Sequence, residues 1–295
     1  MNAAWTGSMW DEFGSIVDLT GYLTEEEVQA IGMPVLNSIL YGGKSAVVSD
    51  SDGIEAMIAN DEPEVKVVLN KNLSLSAPIS VPSGKKVVLD LGGNDLSASA
   101  VAVFADGGDL VVENGGVSSS GSDAIVVRNG GSVTVNDAEI ISTRSNAISA
   151  REGTVTVNSG TVTSQEAGVL GLKDSNIVIN GGTITGIDNG PLMGNGSAAG
   201  TQNDGTNCNI VMNGGTLVAH IQTTGYIACG VYVPNSGSFT MNGGEIVSDG
   251  CGICMRGGTV NLNGGRIIAN GESGVKGKVG DSRVVVGPYA VVYDA

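Results

Sequence analysis

The triplet Asn-Gly-Gly returns at Asn114, Asn180, Asn213, Asn242 and Asn263, with the variants Asn136-Asp-Ala and Asn158-Ser-Gly between them. Counted from Asn114, the steps between these asparagines are 22, 22, 22, 33, 29 and 21 residues. A return of this length marks a repeat architecture, in which no single unit can bury its apolar face and stacked neighbours do so together. Upstream of each asparagine the sequence alternates. Val133 and Val135, Val155 and Val157, Ile177 and Ile179, Ile210 and Met212, Phe239 and Met241, and Val260 and Leu262 are apolar, with mostly Ser, Thr or Asn between them. Period two means a strand with one buried face. Four residues past the asparagine another apolar residue recurs: Ile140, Val162, Ile184, Leu217, Ile246 and Ile267. A third apolar site follows a small residue, as in Ala124-Ile125, Ala147-Ile148, Gly168-Val169, Gly230-Val231, Gly252-Ile253 and Gly274-Val275.

Each unit therefore holds three short strands and three turns. Glycine makes up 47 of the 295 residues, roughly twice the usual share, and supplies the positive φ that such turns require. A hairpin reading of Asn-Gly needs antiparallel strands two residues apart, which the fixed return does not provide. The expected fold is all-β, a right-handed parallel β-helix with three strands per coil of about 22 residues. The pattern extends outward to Val65, Val67 and Leu69, to Val87, Leu89 and Leu91, and to Val284 and Val286, which makes about ten coils over residues 65–295. One slip is visible. Leu110 and Val112 face inward only if Glu113, not Asn114, takes the turn position, and a β-bulge is the expected cause.

Composition closes off other classes. With only 7 prolines the glycine content is not collagen-like, and 41% apolar residues is too many for a disordered polar chain. The net charge is −16 with 14 basic residues spread thinly, which argues against phosphate-led nucleic-acid binding. No apolar run approaches the roughly 18 residues of a membrane span. The opening Met-Asn-Ala-Ala-Trp-Thr has neither a basic nor an apolar leader region, so the reading is synthesis in a cytoplasm unless a leader precedes it.

The run Gly53-Ile54-Glu55-Ala56-Met57-Ile58, then Val65-Lys66-Val67-Val68-Leu69, then Val87-Val88-Leu89-Asp90-Leu91-Gly92-Gly93 resembles the pectin-lyase-like β-helix superfamily over residues 46–295. The resemblance implies a short capping helix at about 52–60 within an N-terminal capping region, 46–64, and an extended strand pair leading into the coils. It says little about function, because this fold hosts enzymes, adhesins and virus fibres.

Residues 1–45 do not fit the repeat. Residues 1–64 hold 12 carboxylates and one lysine, so the charge is concentrated at this end. Thr24 followed by Glu25, Glu26 and Glu27 is a helix start, Gly32 a stop, and Pro34 a possible second start. Trp5, Trp10 and Phe13 cluster here. They read either as a docking or oligomerisation surface or as a cap over the first coil, and the two are compatible. An acidic head on a β-helix shaft is similar in plan to phage head fibres, decoration proteins and tail spikes. That resemblance implies a virion-surface structural protein, anchored to capsid or another virion protein through residues 1–45, and a homotrimer.

A search for paired carboxylates in matching columns, the requirement of glycoside hydrolysis, places Glu139 in a column continued by Thr161, Thr183 and Thr216, and Glu245 beside Arg266, with no two acids stacked. The coils are read as catalytically empty, with no cofactor and no metal ligand set. Arg128, Arg151, Lys173 and Arg256 read as solvated turn residues rather than an anion site. Cys229 and Cys251 should be stacked thiols filling the core, and Cys251-Gly-Ile-Cys254 lacks the second pair that zinc requires. The two long coils place about 11 extra residues within 186–207 and about 7 within 219–228 on consecutive coils, so their loops should adjoin. Loops on a rigid scaffold carry recognition. Asp188, Asn195, Asp204, His220 and Tyr226 are the candidate binding residues there, for a glycan or a protein partner. The leading expectation is thus a non-enzymatic virion structural protein. The alternative is a carbohydrate-active β-helix enzyme or a bacterial surface adhesin.

Overall fold

A computed structural model describes residues 43–188, 196–202, 207–222, 228–234, 236–271, 273–277 and 283–294. Over these the chain winds as a right-handed parallel β-solenoid of about ten coils, preceded by one short helix. The first apolar column shows why. Val65, Val87, Leu110, Val133, Val155, Ile177, Ile210, Phe239 and Val260 are successive register partners in parallel pairs, and each is 0 or 1% exposed. In-register stacking puts like residues roughly 4.8 Å apart, so a residue type that suits one coil suits the next. The third strand of each coil builds a separate nine-stranded sheet whose inward column includes Val103, Ile125, Ile148, Val169, Val231 and Ile253. The first two strands of each coil belong to one continuous sheet, because long strands such as Asp109–Ser119 and Ser132–Ser142 run straight through the corner between them.

That corner is held by the recurrent asparagine. The Nδ2 of Asn158 donates to Oδ1 of Asn136 at 2.9 Å. Asn180 donates to Asn158, Asn213 to Asn180, Asn242 to Asn213 and Asn263 to Asn242, each at 2.8 Å. Every amide in the interior of this ladder both gives and receives, so the dipoles align. The last glycine of each triplet is needed for a second reason. Gly182, Gly215 and Gly244 have φ of 76°, 81° and 88°, and a Cβ on Gly215 would lie 2.7 Å from the Gly182 carbonyl oxygen.

The slip near Asn114 is not a bulge. Asp109–Glu113 pairs without interruption with Lys86–Asp90 on one side and with Ser132–Asn136 on the other. Glu113 does take the ladder position, and Asn114 aligns with Asp137; both have positive φ, 58° and 47°. These two returns are one residue longer than the basic repeat. The next strand compensates, with Asp95 opposite Gly116.

The N-terminal end is closed by the helix Ser51–Ala59 (α1), in the place the resemblance implies. Asp50 caps it by accepting from Gly53 N at 2.9 Å, and Ile54 and Met57 point into the core at 1% and 0% exposure. Lys85, 7% exposed, ties the helix end to the second coil by donating to the Asn60 carbonyl at 2.8 Å and to Asn60 Oδ1 at 2.9 Å.

Gly130 has φ of 80° with open space around its missing Cβ. Thermal unfolding should separate the two glycine requirements: G130A costs about 1–2 kcal/mol for the left-handed backbone alone, and G215A costs at least about 1 kcal/mol more for the collision with the neighbouring coil.

Candidate functional site

Three places bring polar groups together. The first is a groove of about 420 Å³ on the outer face of the second strands, lined by Asn72, Ser74, Asp95, Ser97, Ser118 and Glu139. Asp95 pairs with Gly116, and Gly116 with Glu139. The two acids therefore share a column, two rungs and roughly 9–10 Å apart along the backbone. This corrects the expectation that the Glu139 column holds no second acid. The partner lies upstream: Asp95 precedes Glu139 by 44 residues, through returns of 21 and 23 residues. Gly116 leaves the space between them open. A Cβ there would lie 2.4 Å from Asp95 Oδ1, so the Asp95 carboxylate overhangs the glycine. A trough with hydroxyls, an amide and two carboxylates offers acceptors and donors for a sugar.

The second place is the stem of the two insertions. Thr183–Asp188 and Thr216–Ile221 run in register along six residue pairs, with Ile187 opposite His220 and Asp188 opposite Ile221. The ends of these two strands, where the described part of each insertion stops, are therefore adjacent, as their consecutive coils require. His220 is exposed, and its Nδ1 lies 3.0 Å from Asp249 Oδ2, which also accepts from Ile221 N at 3.2 Å. Asp188 is placed by its backbone pairing. Asn195, Asp204 and Tyr226, and also Trp5, Trp10 and Phe13, lie outside the described residues.

The third place is the corner leading into the third sheet, which sequence reading passed over. Asp123 Oδ1 accepts from Ser145 Oγ at 2.5 Å and from Asn146 N and Nδ2 at 3.1 and 3.2 Å, while Oδ2 accepts from Ser149 Oγ at 2.5 Å. One coil further, Glu166 has its pKa raised, first by burial and then by the Asp123 charge, against a hydrogen bond with Ser145. Spacing alone could have flagged this pair, since Asp123, Ser145 and Glu166 recur at nearly one coil length.

The basic residues are accounted for by neighbours. Arg128 meets Asp106 at 2.7 Å and lies 4.3 Å over the Phe104 ring. Lys173 lies between Glu152 at 3.0 Å and Asp174 at 3.6 Å. Arg256 donates to Tyr232 Oη at 3.5 Å. Acids interleaved along this edge cancel the field an anion would need.

The Glu166 shift has a pH consequence. The folded state keeps a proton that the unfolded chain has already released, so this group's contribution to stability falls as pH rises from its ordinary 4.5 through the raised folded value. E166Q, which retains hydrogen bonding to Ser145, should match the parent near pH 4 and melt at a higher temperature at pH 7. Equal melting temperatures at pH 7 would contradict the burial and charge assigned to Glu166.

Compared with protein-family models, curated proteins and solved structures, the chain matches none of them significantly.

Proposed function

We propose that this chain is a non-enzymatic structural protein whose β-solenoid is a rigid shaft displaying the loops of residues 186–228 to a glycan or protein partner. The β-helix is compatible with a structural or adhesin-like role. The observation that carries the proposal is the paired stem, Thr183–Asp188 against Thr216–Ile221, whose six in-register pairs bring the starts of both insertions together. A scaffold of stacked rungs gives such loops a fixed base, which lowers the ordering cost of binding. In its specific form the proposal is a virion-surface head fibre or decoration protein. Residues 1–45 bind capsid through Trp5, Trp10 and Phe13, and three chains associate.

The full chain should then show in light scattering a mass about three times its 29.6 kDa, consistent with closed cyclic assembly. The triple change W5A/W10A/F13A should abolish co-sedimentation with capsids while leaving the β-type circular dichroism unchanged. Replacing residues 190–203 with a short Gly-Ser linker should remove binding on a glycan array. A monomer that neither sediments with capsids nor binds glycans rules out the virion form.

A second reading rests on the Asp95–Gly116–Glu139 groove: hydrolysis of a polysaccharide laid across the second strands. If it holds, the protein releases reducing ends from a polysaccharide panel, and D95N or E139Q lowers that rate by about 10³-fold or more, the scale of losing a positioned acid or base. Absence of reducing ends with every polysaccharide overturns this second reading.

A further inference from the structure

The corner where the second strand of each coil ends is closed by a column of buried serines. Ser119, Ser142 and Ser164 are successive register partners. The column runs on through Gly186 and Ala219, on the coils that carry the insertions, to Ser248 and Ala269. Each serine Oγ accepts from a backbone N–H just past its strand. Ser119 accepts from Ser122 at 3.1 Å, Ser142 from Arg144 at 3.4 Å and Ser145 at 2.9 Å, Ser164 from Glu166 at 3.0 Å, and Ser248 from Gly250 at 3.1 Å. On the next coil Ala269 takes the serine's place and has no oxygen to offer. The N–H two residues on belongs to Gly271, and it meets no acceptor among the described residues.

Gly271 follows Asn270, and both are exposed. Asparagine is a thermolabile residue, most of all before glycine, which has no Cβ to keep its backbone nitrogen away from the preceding side-chain carbonyl carbon. Attack needs a side chain free to rotate and a nitrogen free of its hydrogen bond. The other described Asn-Gly pairs are held. Asn180, Asn213 and Asn242 each give and receive a ladder hydrogen bond of 2.8 Å, and Gly181 N and Gly214 N donate to the Val157 and Ile179 carbonyls at 3.3 and 3.4 Å. Asn263 donates to Asn242 at 2.8 Å and lies inside the paired strand Thr259–Ala269. Asn114 donates to Asp90 at 3.1 Å. Asn129 donates to Asp106 at 2.6 Å, with Gly130 N on the Glu152 carbonyl at 2.6 Å. The Asn270 side chain has no such partner among the described residues. Nor can a larger residue replace Gly271, because a Cβ there would lie 2.2 Å from the Asp249 carbonyl oxygen. The fold thus retains the reactive dipeptide at a corner that lacks its serine.

We propose that Asn270 is a deamidation site, the first of the described Asn-Gly pairs to react. Gly271 N gives its proton to hydroxide and attacks Asn270 Cγ. The bond from Cγ to Nδ2 breaks, and ammonia leaves after taking a proton from water. A cyclic succinimide remains. Water then adds to one of its two carbonyl carbons and breaks that carbon's bond to nitrogen, giving aspartate or isoaspartate. Nothing is oxidised or reduced. Either product places a new carboxylate one coil beyond Asp249, whose own carboxylate already accepts from Ile221 N. Isoaspartate also adds a carbon to the main chain of the corner. The change falls at the end of the strand that pairs with the last described strand, Arg283–Asp294.

The test incubates the full folded chain in mildly alkaline buffer and follows each Asn-Gly pair by peptide mapping and mass spectrometry. Conversion at Asn270 should run about tenfold or more ahead of Asn180, Asn213 and Asn242, which must first give up hydrogen bonds of ordinary strength. In denaturant the difference should disappear. A269S restores the missing hydroxyl and should slow conversion at Asn270 by about fivefold, the equivalent of one hydrogen bond to Gly271 N. Conversion at Asn270 no faster than at the ladder asparagines, an order of sites that persists in denaturant, or an A269S chain that converts at the parent rate would each overturn the proposal. The folded and denatured parent measurements stand even if A269S fails to fold.

Discussion

The structure depends on one constraint: every coil must present its strands to the next in parallel register. Backbone hydrogen bonds run along the solenoid axis, so each coil satisfies its donors and acceptors on the coil before and the coil after it. Any residue that breaks the register would leave buried peptide groups unpaired on both sides. The side chains follow. Inward positions stack into columns of Val, Ile and Leu, with Phe239 the largest side chain buried in them, and the core is as long as the stack. Stability in such a fold is a sum of coil and coil–coil terms, so local features at corners matter more than any single core residue.

The corners show how side chains reinforce the register. The asparagine ladder from Asn136 to Asn263 adds a hydrogen-bonded row parallel to the backbone ladder, with a rung-to-rung spacing the two rows share. Where Glu113 occupies the equivalent place it cannot donate, and it pairs instead with Lys66 at 3.0 Å, while Lys66 also meets Asp90 at 2.8 Å. The start of the solenoid therefore uses charge where the middle uses amides. The opposite corner is treated differently again: Asp123 gathers four donors from two serines and an asparagine of the next coil. Each corner is a place where the chain turns and backbone groups would otherwise be exposed, and each has its own polar solution.

Much of the fold was legible before any coordinates. The alternation ending at Asn136, Asn158 and Asn180 places the strands and their inward faces, and the resemblance carried by Gly53-Ile54-Glu55-Ala56-Met57-Ile58 places the helix. The site residues were less legible. Asp95 and Glu139 are 44 residues apart, two coils of the basic repeat. The intervening returns of 21 and 23 residues cancel, so the spacing was legible, but only the structure shows that Gly116 stands between the two acids and that a groove opens there. The expected bulge at Asn114 failed because a one-residue change in return length looks, in the sequence, like a break in pairing. The thiol group was half legible, since the 22-residue spacing of Cys229 and Cys251 gave their stacking but not their grouping with Tyr232 and Cys254.

By itself the sequence determined the repeat length, the handing of apolar and polar residues to opposite faces, and the place where two long insertions interrupt the stack. These are periodic properties, and periodicity survives projection onto one dimension. Only the tertiary structure decided which irregular residues meet. The overhang of Asp95 above Gly116, the bond from Ser145 to Asp123, and the pairing of Tyr232 with Cys254 all run between coils. They depend on register offsets and corner angles that no single coil contains, and the chemistry this solenoid carries resides in those inter-coil contacts.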